Sequence, residues 1–135
     1  MVIFSTFVSA NNYTPQEEAD LGWKFWQEKK WKESAKWDLK AAEHGNMYGQ
    51  KRTGLHFQRG LGVQKDYIEA VHWHRLAAKQ GDWYSMMNLG IIYKTGGYGV
   101  QKDLKKALAW LLKSKKVCKD KQELKNIKTL IKSIE

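Results

Sequence analysis

The chain has 135 residues, a net charge of +10, 13% aromatic side chains including 7 tryptophans, and a mean hydropathy of −0.66. That is the length of one domain with enough large rings to fill a core. A single cysteine, Cys118, excludes an intramolecular disulfide framework, and no stretch is apolar for long enough to cross a membrane as a helix.

The charge forms a gradient. Six lysines stand against seven acids over residues 1–50, seven bases against three acids over 51–100, and eleven lysines against four acids over 101–135.

Residues 1–10, Met-Val-Ile-Phe-Ser-Thr-Phe-Val-Ser-Ala, are apolar and uncharged and end in a small-x-small pattern, Val8-Ser9-Ala10. They read as a signal peptide or its remnant. No Lys or Arg precedes them, so a short apolar tail packing on the first helix is the other reading. Residues 11–135 then form a single domain. Thr14-Pro15-Gln16-Glu17 is a helix start, with Thr as N-cap, Pro at the first helical position and Glu closing a capping box. That helix carries Ala19, Gly22 and Trp26 and runs to about Lys29. A second, from about Trp31 to Glu43, carries Ser34, Trp37, Ala41 and Ala42.

The middle of the chain repeats. Gly62-Val63-Gln64-Lys65-Asp66 returns, identical, as Gly99-Val100-Gln101-Lys102-Asp103. Ala70 and Trp73 recur 37 residues later as Ala107 and Trp110, and Gly45 recurs 36 residues later as Gly81. A fixed period in this range marks a stacked array of helix pairs. Each copy reads as helix, glycine loop, helix. Met86, Leu89, Gly90 and Tyr93 form a stripe at helical spacing. Asp66 with Glu69 gives a capping box for the helix that follows, and Asp103 gives a plain N-cap. The loop glycines call for left-handed backbone. The predicted units span about 15–44, 46–80 and 82–115. A capping helix over 120–134, started by Asp120 and Glu123, carries Leu124, Ile127, Leu130, Ile131 and Ile134 on one face and lysines on the other. The fold class is all-α, a solenoid of antiparallel helix pairs with about seven helices.

In one copy Gly54, Phe57, Gly60, Gly62, Val63, Asp66, Ala70, Trp73, Ala77, Ala78 and Gly81 fall into a set pattern. Leu89, Gly90, Tyr93, Gly99, Val100, Asp103, Ala107 and Trp110 follow it in the next. This pattern resembles the Sel-one-like repeat family, relatives of the tetratricopeptide repeats, over residues 15–115. The sequence departs from it at Thr53, usually Leu, at Trp83, usually a small residue, and at Ser114-Lys115 in place of the closing Ala-Ala.

No catalytic constellation is present. His72 and His74 sit two apart, which on a helix points them about 200° apart, too far to share an ion. Gly60-Leu61-Gly62 lacks the Lys-Ser/Thr of a phosphate loop, and Cys118 lacks any motif that would activate its thiol. No enzyme activity, metal or cofactor is expected. The C-terminal lysines alternate with Ile and Leu as on a solvated helix face, although an acidic protein partner, an anionic membrane or nucleic acid would also meet such a stripe. The aromatic rings sit at core positions instead of interleaving as base-stacking platforms, so nucleic acid is not expected.

A second stripe runs beside the core stripe on the first helix of each unit. It comprises Trp23 and Trp26, with Gln16 and Ala19, in unit one; Tyr48, Lys51, Leu55 and Gln58, with Arg59 adjacent, in unit two; and Tyr84, Met87, Ile91 and Lys94 in unit three. Of these, Trp23, Trp26, Tyr48, Lys51, Leu55, Arg59, Tyr84, Met87, Ile91 and Lys94 are the expected protein-binding residues. In the tetratricopeptide architecture these offsets line the concave side, where ligands dock; the other reading packs them against the neighbouring helix. Rings, Met and Arg on a groove are the residue types that dominate interface energies. The resemblance implies a monomeric protein–protein interaction module, and the leader places it in the bacterial envelope, periplasmic or secreted, or in the cytoplasm if residues 1–10 are not a signal peptide. The basic flank implies an acidic partner. The alternative role is an immunity protein that neutralises a secreted toxin.

Overall fold

The structure, a computed structural model, describes residues 12–135. The leader reading of residues 1–10 lies outside them. Seven helices follow one another in the described residues: α1 (Pro15–Gln27), α2 (Trp31–Glu43), α3 (Met47–Arg59), α4 (Tyr67–Lys79), α5 (Trp83–Thr95), α6 (Leu104–Val117) and α7 (Lys121–Lys132). Each packs against the next, and α1 against α3 and α3 against α5 besides, so the first helices of the three units stand side by side. This is the predicted all-α solenoid. None of these helices is long and apolar enough to cross a membrane.

The helix starts are chemical. Thr14 and Glu17 close a complete capping box on α1: the Thr14 hydroxyl accepts from the Glu17 amide and the Glu17 carboxylate accepts from the Thr14 amide. Asn46, Asp66, Asp82, Asp103 and Asp120 each accept backbone amides at the starts of α3, α4, α5, α6 and α7. The box expected at Asp66 and Glu69 is only half made. The Asp66 carboxylate accepts from Ile68 and Glu69, but the Asp66 amide donates to the Phe57 carbonyl at 2.9 Å instead. Asp103 does the same with Tyr93, at 2.8 Å, so each loop is tied back to the helix before it.

Each glycine loop folds over the start of the preceding unit's second helix. At Gly62, φ is +74°, and a Cβ there would lie 2.3 Å from the Trp31 carbonyl oxygen; at Gly99, φ is +92°, and a Cβ would strike Ile68 at 2.7 Å. Both positions therefore need glycine for its backbone freedom and for space. The Trp31 obstacle is backbone, which cannot swing away. Gly62→Val is expected to cost about 2 kcal/mol in a denaturant melt. An unshifted midpoint would show that the loop does not seat on α2.

The core is built from small residues meeting large ones. Ala41, Ala70, Ala77, Ala107, Leu89, Ile92, Leu111 and Ile127 are all fully buried. Three helix-interior glycines, Gly22, Gly54 and Gly90, let the second helix of each unit approach closely: a Cβ on them would collide with Asp38, His74 and Leu111 respectively. The same structural position thus carries an acid, an imidazole and an aliphatic chain in successive units. Trp73 is buried as expected, but Trp110, its repeat counterpart, stays half-buried and forms part of a groove wall. The α7 cap lays Ile127 and Ile131 on Leu111, Met87 and Cys118, which covers the open end of the array.

Candidate functional site

A groove of about 430 Å³ opens between α1 and α3. From α1 it takes Gln16, Ala19, Asp20, Trp23 and Trp26, and from α3 Tyr48, Lys51, Arg52 and Leu55. Its two lips are aromatic: Trp23 is 47% and Tyr48 48% exposed. Leu55 is buried in its floor. Trp26 is half-buried and held edge-on by Trp31, with ring centroids 5.2 Å apart, and by His56 at 5.1 Å. Lys51 leans over the Tyr48 ring at 5.1 Å, with its ammonium 3.8 Å from Asp82. The Arg52 guanidinium lies 5.8 Å from the Trp23 ring.

Behind this groove is a buried polar network. Asp38, fully buried on α2, accepts from Arg52 Nε at 2.8 Å and meets His56 Nε2 at 3.0 Å. Arg52 also donates from Nη2 to the Ala19 carbonyl, and the Ser34 hydroxyl donates to the Gly22 carbonyl at 2.9 Å. His56 Nδ1 lies 2.7 Å from the Leu61 carbonyl oxygen. The network therefore joins α1, α2, α3 and the glycine loop, and it holds the Arg52 guanidinium against Trp23.

The next unit repeats this geometry with weaker chemistry. His74 is fully buried; its Nε2–H donates to Gln58 Oε1 at 2.8 Å, which leaves Nδ1 to accept from the Ser85 hydroxyl at 3.3 Å. Burial holds this imidazole far below its usual pKa, at about 3, and the nearby Arg59 guanidinium pushes the same way. His72, two residues earlier, is exposed.

The structure brings five of the ten expected protein-binding residues together: Trp23, Trp26, Tyr48, Lys51 and Leu55. The other five are placed differently. Arg59 reaches across to donate to the Tyr84 hydroxyl at 3.2 Å. Met87 is buried in the α7 cluster, and Tyr84 and Ile91 are half-buried against it. Lys94 is half-buried in the last turn of α5. Of the two readings of the stripe, packing against a neighbouring helix is the one seen at Met87, with Tyr84 and Ile91 beside it. The α7 cap lies on this part of the stripe. Asp20 and Arg52 line the groove without having been singled out. Arg52 follows Tyr48 by one helical turn, which is the signal that could have found it.

The profile of the Sel1 repeat matches residues 48–82 and 83–116. Among solved structures, the chain is similar to a Sel1 repeat protein from Oxalobacter formigenes, with 29% identity, a TM-score of 0.67 and coverage of 78% of this chain and 45% of that one. It is also similar to a protective antigen of uropathogenic Escherichia coli displaying an SLR fold, with 27% identity, a TM-score of 0.67 and coverage of 90% of this chain and 30% of that one. The chain thus spans less than half the length of either. No curated protein matches it. Repeats of this family generally mediate protein–protein contacts. Two matched repeats, the glycine loops that seat on the preceding unit and the shared solenoid fold make this chain a member of the Sel1 repeat family.

Proposed function

We propose that the chain is a protein-binding module of the bacterial envelope, and that the groove between α1 and α3 receives a segment of its partner. One observation carries this: two large rings, Trp23 and Tyr48, stand nearly half exposed on facing lips above a buried apolar floor. Exposed rings are costly to leave in water and are the side chains that anchor interfaces. Lys51 and Arg52 line the same groove, but Asp82 and Asp38 pair with them and Asp20 adds one negative charge, so the segment that fits is held by an apolar anchor seated between the two rings. The envelope placement rests on the leader-like residues 1–10.

The test is site-specific photocrosslinking in the native host. A benzophenone amino acid in place of Tyr48 is expected to yield a discrete adduct in the envelope fraction. Adding Trp23→Ala should weaken its formation by about tenfold or more if the ring is a hot spot, while the thermal melt stays within about 1 kcal/mol of the parent. Absence of an adduct, or an equal yield from a crosslinker at exposed Glu43, would reject the groove as the binding site.

A further inference from the structure

A larger cavity, about 760 Å³, lies elsewhere, between α4 and α6, and shares no lining residue with the first groove. Its floor includes Val71 and the buried Met86, and half-buried Trp110 forms part of its wall. Arg75, Lys79 and Lys113 also line it, and no lining residue is acidic. Among the described residues, none of these three cations forms an ion pair. Lys113 instead lies over the Trp110 ring at 4.6 Å. The cleft is thus apolar at its base, with cations that pair with no carboxylate among the described residues.

We propose that this cleft is a second docking site, on the second helices of units two and three, for an acidic amphipathic segment of a partner protein. Its apolar side chains seat on Val71, Met86 and Trp110, and its carboxylates meet Arg75, Lys79 and Lys113. Charge complementarity selects this occupant. A nucleic acid would need free aromatic faces for its bases; of the two rings that line the cleft, Trp110 is covered by Lys113 and the His72 imidazole stands edge-on to Trp73. An anionic bilayer is met by an amphipathic face that buries apolar side chains in the headgroup layer, whereas these apolar side chains lie inside a cleft. The unpaired cations also speed capture of an acidic chain and make it salt-sensitive. With one groove between first helices and one between second helices, a single chain can hold two partner segments at once.

The probe is a displayed library of short random peptides, panned in parallel on the wild type and on Lys79→Glu/Lys113→Glu. Both substitutions lie on exposed helix surface, so the variant is expected to fold, as far-ultraviolet circular dichroism checks. The wild type should enrich peptides that combine Asp or Glu with Leu, Phe or Trp. These peptides, made synthetically, should bind about tenfold or more weakly to the double variant and to Trp110→Ala, more weakly at raised salt, and within about twofold equally to Trp23→Ala. The proposal is overturned if enriched peptides lack acids, if Lys79→Glu/Lys113→Glu or Trp110→Ala binds them as the wild type does, if Trp23→Ala removes them, or if panning enriches nothing over the double variant. It is also overturned if a single-stranded oligonucleotide or phosphatidylglycerol vesicles bind more tightly than the peptides and lose that binding in the double variant. Undiminished binding to Trp110→Ala rejects the cleft and leaves the first groove standing, because that groove is tested by the crosslink from Tyr48, so the two sites are judged separately.

Discussion

Asp38→Ala is expected to lower stability by about 3–5 kcal/mol, because it leaves a guanidinium and an imidazole in the interior without their carboxylate. Asp38 is fully buried, and Arg52 and His56 are 8% and 1% exposed, so water cannot take over the lost contacts without opening the junction of α1, α2 and α3. The ion pair itself need not be the most stable filling for this site. Removing all three members for apolar residues of similar size, Asp38→Leu with Arg52→Met and His56→Leu, should regain most of the loss. The third unit has already made the corresponding exchange: Leu111 packs on Gly90 where Asp38 packs on Gly22. Equilibrium denaturation of the single and triple variants decides this. A single variant that unfolds with the wild type would show that the network contributes nothing to the native state. The network also has a functional consequence. Arg52 is held 5.8 Å from Trp23 by the same carboxylate, so the triple variant, although stable, should crosslink less well from Tyr48.

The repeat was legible because its signals are local. Glycines in the loops, acids at helix starts and small residues facing large ones each follow from a few neighbouring positions, and the period multiplies them. The polar network was not legible. Asp38 reaches partners 14 and 18 residues away on another helix, and no spacing rule of a single helix joins them. The stripe of first-helix residues was half legible for a related reason. Its positions follow from helical period alone, but whether they are open depends on what packs over them. Units one and two leave Trp23 and Tyr48 exposed, whereas in unit three α7 closes over Met87. The cleft between α4 and α6 was missed because Trp73 and Trp110 occupy the same repeat position. Only the three-dimensional packing separates the closed ring from the one beside a cavity.

His74 should make the fold acid-sensitive well above the carboxylate range. The unfolded chain protonates this imidazole near its ordinary pKa of 6.5, whereas burial, with Arg59 adding repulsion, keeps the folded one neutral down to about 3. Between those values the unfolded state holds one proton more than the native state, so stability falls as pH falls. The slope is about 1.4 kcal/mol per pH unit at its steepest, which amounts to about 2 kcal/mol lost between pH 7 and pH 5. The native hydrogen bonds explain why the ring resists protonation. Gln58 already takes the Nε2 proton, Nδ1 accepts from Ser85, and neither partner can supply a negative charge. His74→Leu, which installs the residue that the next unit carries at this position, removes the titrating group. It leaves the Gln58 amide oxygen short of a donor, so the variant should be less stable at pH 7 by about 1–3 kcal/mol. Its loss of stability on going to pH 5 should be smaller than that of the wild type by about the 2 kcal/mol assigned to His74. The measurement is a pair of urea titrations at each pH. Parallel pH dependences for the two proteins would place the acid sensitivity elsewhere and leave His74 without a role in it.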